Sequence, residues 1–150
     1  MKIAIGCDHG GFSLKPVVIG YLEKNGIEYK DFGCYDGKSV DYTDYAAPVC
    51  KAVLSGEYDL GILLCGTGIG MSITANKFKG IRCAHCEDTF SARMTRLHND
   101  ANVLAMGERV TGAGLAEDIV AAFINTPFSQ DERHIRRIGK IKAIEEENFR

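Results

Sequence analysis

The chain has 150 residues, with 18 Lys and Arg against 20 Asp and Glu and a formal net charge of −2. That balance leaves no electrostatic footprint for nucleic acid or an anionic membrane, so any basic site must be local. With 45% hydrophobic and 25% charged residues the composition is that of a globular protein, read as a single domain over 1–150. No stretch approaches a membrane span, and the opening run Met1–Ile5 is too short for the apolar region of a signal peptide. A cytoplasmic location follows as the expectation. Cys7, Cys34, Cys50, Cys65, Cys83 and Cys86 lie mostly in or beside apolar segments and are expected as free thiols.

In chain order, short apolar runs predict strands at Lys2–Cys7, Glu28–Phe32, Leu60–Leu64, Ile81–His85 and Val103–Ala105. Amphipathic stretches predict helices at Phe12–Asn25, Tyr45–Ser55, Ile69–Lys77, Asp88–Leu97 and Gly112–Ile124, and a C-terminal one from about Asp131 to Asn148. Asn25-Gly26 and Ser55-Gly56 supply helix stops, and Asp44 is the expected cap of the second helix. The alternation implies an α/β fold with a parallel sheet covered on both faces. The longest irregular piece is Gly33–Thr43, placed to overhang the strand ends where ligands bind in such sheets.

The most informative stretch is Leu60–Gly70. A buried strand runs into Cys65, then into Gly66-Thr67-Gly68-Ile69-Gly70 and a helix. A thiol at a strand end facing a helix N-terminus sits where thiolate is favoured. The loop is a poor dinucleotide fingerprint: it reads G-x-G-x-G, Met71 stands where a third glycine belongs, and it follows the third strand. It also lacks a P-loop lysine. A nest of amides for an oxyanion fits it better, with a ligand-free tight turn as the bland alternative.

Other constellations are weaker alone. Asp8-His9 at the end of strand one offers an acid/base and a cation, or a simple cap. Cys83-Ala84-His85-Cys86 lacks the second Cys pair that a structural zinc site needs and reads as strand-end packing. Arg133 and Arg137 share a helical face and could grip one phosphate, or form a solvated face paired with Glu145–Glu147. His98-Asn99-Asp100 falls before strand five, at the wrong end for a site in the same subunit, so a symmetric dimer would have to deliver it.

Taken together, Gly6-Cys7-Asp8-His9-Gly10-Gly11, Asp41-Tyr42, Cys65–Gly70, Ala75-Asn76-Lys77, His98-Asn99-Asp100, Gly107-Glu108-Arg109-Val110 and Arg133-His134-x-x-Arg137 resemble the type B ribose-5-phosphate isomerases. The wider family includes galactose-6-phosphate isomerase. The resemblance implies a three-layer, Rossmann-like α/β/α sandwich with five parallel strands, and a homodimer or dimer of dimers with shared active sites. It implies Cys65 as the base moving a proton between C1 and C2, with Thr67 and the amides of Gly66, Gly68, Ile69 and Gly70 holding an enediolate. His98 from the partner would open the sugar ring, with Asp8 and Tyr42 nearby, and Asn99 would bind the sugar. His9, Arg133, Arg137 and an Arg109 from the partner would bind phosphate. No metal or organic cofactor is implied. Thr74-Ala75 stands where part of the family carries a glutamate base, which places the chain in the cysteine branch. Allose-6-phosphate or galactose-6-phosphate isomerisation is the alternative activity. A non-catalytic flavodoxin-like nucleotide- or phosphate-binding module is the alternative of another class, and the missing third glycine argues against it.

Overall fold

The structure is a computed structural model and describes residues 1–149. Its strands are β1 (Lys2–Cys7), β2 (Glu28–Asp31), β3 (Leu60–Cys65), β4 (Cys83–His85) and β5 (Val103–Gly107). Its helices are α1 (Lys15–Lys24), α2 (Tyr42–Leu54), α3 (Ile69–Ala75), α4 (Thr89–Asn99), α5 (Ala113–Asn125) and α6 (Glu132–Asn148). All strand pairs are parallel, in the order β2-β1-β3-β5-β4. Every residue of β3 and β5 is buried, as expected of central strands covered on both faces. β2, at one edge, alternates exposed Glu28 and Lys30 with half-buried Tyr29 and Asp31.

Two cores make the three layers. On one face Ile5, Ile62, Leu64, Leu104 and Met106 meet Val18 and Leu22 of α1, Ala92 of α4, and Ile119 and Phe123 of α5. On the other, Ala4, Leu63, Cys65 and Ala105 meet Val49 and Cys50 of α2 and Met71 and Ala75 of α3. Period-two alternation along β3 thus sends Leu64 to the first core and Cys65 to the second. Each fully buried Leu or Ile contributes roughly 1.5–3 kcal/mol. Helix α6 stands outside this sandwich, packed on α4 through His134 and Ile138.

Several boundaries differ from the sequence expectation. Helix α1 begins at Lys15 rather than Phe12, because the Glu108 carboxylate takes the amides of Ser13 and Leu14 at 2.8 and 3.1 Å from across the sheet. Helix α2 begins at Tyr42 rather than Tyr45. Asp41, in extended conformation, holds the cap position, and Asp44 lies inside the first turn, where its charge suits the helix dipole. Helix α4 continues to Asn99, so His98 stands on its last turn. The Arg82 guanidinium accounts for that extra length, donating to the Asn99 and Asp100 carbonyls at 2.9 and 2.8 Å.

The turn after β1 is pressed onto β3. A Cβ at Gly11 would lie 2.5 Å from the Leu64 carbonyl carbon, so any side chain there must displace strand backbone. Gly11→Ala is expected to cost about 1–3 kcal/mol of unfolding free energy in urea titrations, since overpacking against backbone finds little room to relax.

Candidate active site

Connections leave β1 toward β2 on one side, while β3 lies on its other side. The ends of β1 and β3 therefore flank the topological switch where open α/β sheets bind ligands. Their register, Cys7 against Leu64, sets the Asp8–Gly11 turn beside the Gly66–Gly70 loop. Asp8 is buried, and its Oδ1 accepts the Gly10 amide at 2.8 Å, which closes the 3-10 turn His9–Gly11.

Cys65 is only 4% exposed, yet its sulfur is not left in hydrocarbon alone: the Gly68 amide donates to Sγ at 3.0 Å. That contact needs Gly68 at φ +80°, a conformation glycine adopts at little cost. Burial pushes Cys7 and Cys50 up to about 12 and Cys86 up to about 11, and it raises Cys83 as well.

Three further elements converge on the loop. The Tyr42 ring lies over Gly70, its Cζ 2.9 Å from where a Cβ would be. The turn after β5 docks by backbone, Glu108 N to Cys65 O at 2.9 Å and Arg109 N to Gly66 O at 3.0 Å. This carries the Arg109 guanidinium to 3.5 Å from the Cβ position of Gly66 in its own chain. Arg109, expected from a partner, therefore stands over the loop of the same subunit, because Gly107 pairs with Cys65 and the chain cannot move away within two residues. His9 is exposed, and its Nδ1 accepts the Val40 amide at 3.2 Å, which ties the 33–41 segment to the site. In the neutral ring this leaves the hydrogen on Nε2. Thr67 is exposed at the loop's crest, and Ile69 follows at the start of α3.

The remaining expected residues gather elsewhere. His98 and Asn99 end α4 at the opposite end of the strands, where Asn102 bonds to Arg82 and Gly61. His98 stacks on buried His134 with ring centroids 4.4 Å apart, and the Ser129 amide donates to Leu97 O at 3.1 Å. Arg133 and Arg137 lie exposed on the same first turns of α6. The acidic residues offered as their alternative partners turn away, Glu146 to Lys79 and Glu145 to the Gly80 amide. The expected residues thus fall into two groups at opposite ends of the parallel strands: Cys65, Thr67, Asp8, His9, Tyr42 and Arg109 at one, His98, Asn99, Arg133 and Arg137 at the other.

Two residues escaped the sequence reading. Glu108 carried no signal, since its cap on α1 spans more than ninety positions. His85 was read as packing, yet its ring meets Gly68. Among the described residues, no three His, Cys, Asp or Glu side chains come together as metal ligands would, and no helix is long and apolar enough to cross a membrane. An apolar groove beyond β4, lined by Ile81, Cys83, Ile141 and Ile144, carries no comparable chemistry.

The fold agrees with the comparisons to known proteins. The family profile described as Ribose/Galactose Isomerase matches residues 3–141, and the chain belongs to that family. It is 48% identical over 145 residues to ribose-5-phosphate isomerase B of Escherichia coli strain K12, covering 97% of each chain. The solved ribose-5-phosphate isomerase B of Clostridium thermocellum superposes with a TM-score of 0.95 at 52% identity, covering 98% of this chain and 99% of that one. The ribose 5-phosphate isomerase of Thermotoga maritima gives 0.92 at 53% identity, covering 95% and 97%. The chain is accordingly a sugar-phosphate isomerase by family.

The contact between α4 and α6 carries a pH dependence through His134. Burial, with His98 and Arg133 nearby, holds His134 below its ordinary value of 6.5, against a weaker opposite pull from Asp131. The unfolded chain therefore binds this proton more readily than the folded one. Stability is complete above about pH 6.5 and falls as the pH drops below it. His134→Gln is expected to flatten that slope between about pH 6.5 and 5 in urea titrations, relative to the native chain.

Proposed function

We propose that the chain interconverts ribose 5-phosphate and ribulose 5-phosphate through an enediolate, in a homodimer whose active sites each combine half-sites from two subunits. The observation that carries this reading is the 3.0 Å bond from the Gly68 amide to Cys65 Sγ inside an amide-lined loop. A donated amide favours charge on sulfur, which suits Cys65 to remove the weakly acidic proton at C2 and return it at C1. On this reading the Thr67 hydroxyl and the Gly66 and Gly70 amides hold the enediolate oxygens as they develop charge, while the Gly68 amide is given to the Cys65 sulfur and the Ile69 amide to Thr67 Oγ1. A base of this kind contributes roughly 10²–10⁴-fold and one oxyanion donor about 10²–10³-fold, so loop and thiol matter comparably.

Sugar phosphates close into rings, and the open aldehyde must be released before its proton can move. The partner subunit's His98 fills that role as acid and base, with Asp8 and Tyr42 of the first subunit beside it and the partner subunit's Asn99 on the sugar hydroxyls. The phosphate is held from both sides. His9 offers its Nε2 hydrogen and Arg109 its guanidinium from one subunit. Arg133 and Arg137 come from the other, because they share an end of the sheet with His98 and not with Cys65. This reverses the division of arginines expected from the sequence. Holding the non-reacting phosphate converts its binding energy into placement of C1 and C2.

Cys65→Ser is expected to fold and bind sugar phosphate with little change in KM while kcat falls by about 10²-fold or more; a wild-type kcat would remove the thiol from the reaction. Arg137→Ala is expected to raise KM about tenfold, and an unchanged KM would remove it from the phosphate clamp. The shared site has a separate test. Cys65→Ser and His98→Ala chains, each inactive alone, are unfolded and refolded together. In a twofold dimer, mixed pairs keep one intact site, so about a quarter of wild-type activity should return. No recovery would place the complete site within one subunit.

A further inference from the structure

We propose that His85 is a positioning residue for the reaction: its ring edge, packed on Gly68, keeps the Gly68 amide aimed at the Cys65 sulfur. The proposal rests on the reading of Cys65 as base, and nothing in the chemistry above uses His85.

Strand β4 lies at the open edge of the sheet and grips α3 at both ends. At the C-terminal end of α3, the Asn76 amide group bonds both the N–H and the C=O of Cys83 at 2.9 Å. His85, two residues on, projects to the same face and meets the other end of the helix at its cap, Gly68. A Cβ at Gly68 would lie 2.7 Å from His85 Cδ2 and 2.9 Å from Nε2. The imidazole and the Met106 carbonyl carbon, 2.9 Å from the same point, together fill the space that a side chain at 68 would occupy, so the ring braces the left-handed turn from one side while β5 backbone bounds the other.

That brace acts by shape. Nε2 is buried with no hydrogen-bond partner among the described residues, and the Glu87 carboxylate, 3.4 Å away, is out of line for one. With no polar bond fixing the ring, its contact with the loop fixes it. Gly68 is flexible by composition, and α3 is too short, at seven residues, to impose a conformation on its own cap. Without the ring, Gly68 regains other backbone conformations and its amide leaves the sulfur for part of the time. The other titratable or charged side chains around this loop are Arg109 beyond β5 at Gly66 and Tyr42 from α2 at Gly70, with Asp8 beside Gly10 in the neighbouring turn and Glu87 beyond β4 against the His85 ring. All of them remain when His85 is replaced.

The test uses the full chain carrying His85→Ala or His85→Phe. Two readouts are followed: isomerase kinetics, and the pH at which iodoacetamide alkylation of Cys65, identified by mass spectrometry, reaches half its maximal rate. His85→Ala is expected to lower kcat about 10-fold with KM changed less than about twofold, and to move the alkylation midpoint upward by about half a unit to one unit. His85→Phe, which restores a flat ring, should recover kcat to within about threefold and return the midpoint. If His85→Ala does not fold, His85→Val, which keeps a strand-forming residue without the ring, carries the same comparison. An unmoved midpoint with kcat within about twofold of wild type overturns the proposal. So does a raised KM at unchanged kcat, which would make His85 a substrate contact. The alkylation readout does not depend on turnover. A fully active Cys65→Ser would sink the assignment of the base while leaving the placement of Gly68 by His85 to be judged by the midpoint.

Discussion

The site depends on a close approach of backbones above the sheet. Cys65 ends β3, and its carbonyl is taken by the amide of Glu108 while the Gly66 carbonyl is taken by that of Arg109. With these oxygens fixed, the loop has one direction left to turn, and the turn presents the Gly68 amide to the sulfur of the residue that began it. The same meeting requires the β1 turn to lie against Leu64 without a side chain between them. Chemistry at this position is therefore a consequence of how tightly three strand ends pack, and the glycines are the residues that permit the packing.

This explains which parts of the molecule could be read from the chain. The strands were legible because β1, β3 and β5 are continuous apolar runs bounded by turn residues, and the loop was legible because a cysteine between a buried strand and alternating glycines has few ordinary explanations. Helix starts were less legible. Asp41 and Asp44 are equally suitable caps by residue type, and only the position of Tyr42 over Gly70 separates them. Glu108 was illegible in principle, because a carboxylate capping a helix more than ninety positions away leaves no local pattern. His85 was legible as strand-end packing, but its contact was not: strand spacing shows that it shares a face with Cys83, not that the face meets the cap of α3.

His98 and the arginines were not equally placeable from the chain, and the cause lies in the topology. His98 could be placed because a residue just before a parallel strand lies at the end of the sheet opposite the ligand end. Arg133 and Arg137 follow the last strand, so no such rule places them. Their position is set by the stack of His134 on His98 and by the Ser129 amide on Leu97, contacts between α6 and α4 that no periodicity predicts. Arg109 has the opposite history, since it follows β5 by two residues and strand pairing alone binds it to its own loop.

On the proposed reading, this geography couples assembly to catalysis. A lone subunit holds its thiol, only 4% exposed, beneath the loop, with Arg109 and His9 nearby but without an acid for ring opening, so it cannot release the aldehyde. Joining two subunits supplies the partner subunit's His98 and a second pair of cations together, because His98 on α4 packs against His134 on α6 beside Arg133 and Arg137. Water is excluded at the same moment, which strengthens each amide–oxyanion contact in the loop. The buried state of His134 fits this arrangement. A neighbour that resists protonation leaves His98 to take up and give back its proton without a second positive charge 4.4 Å away.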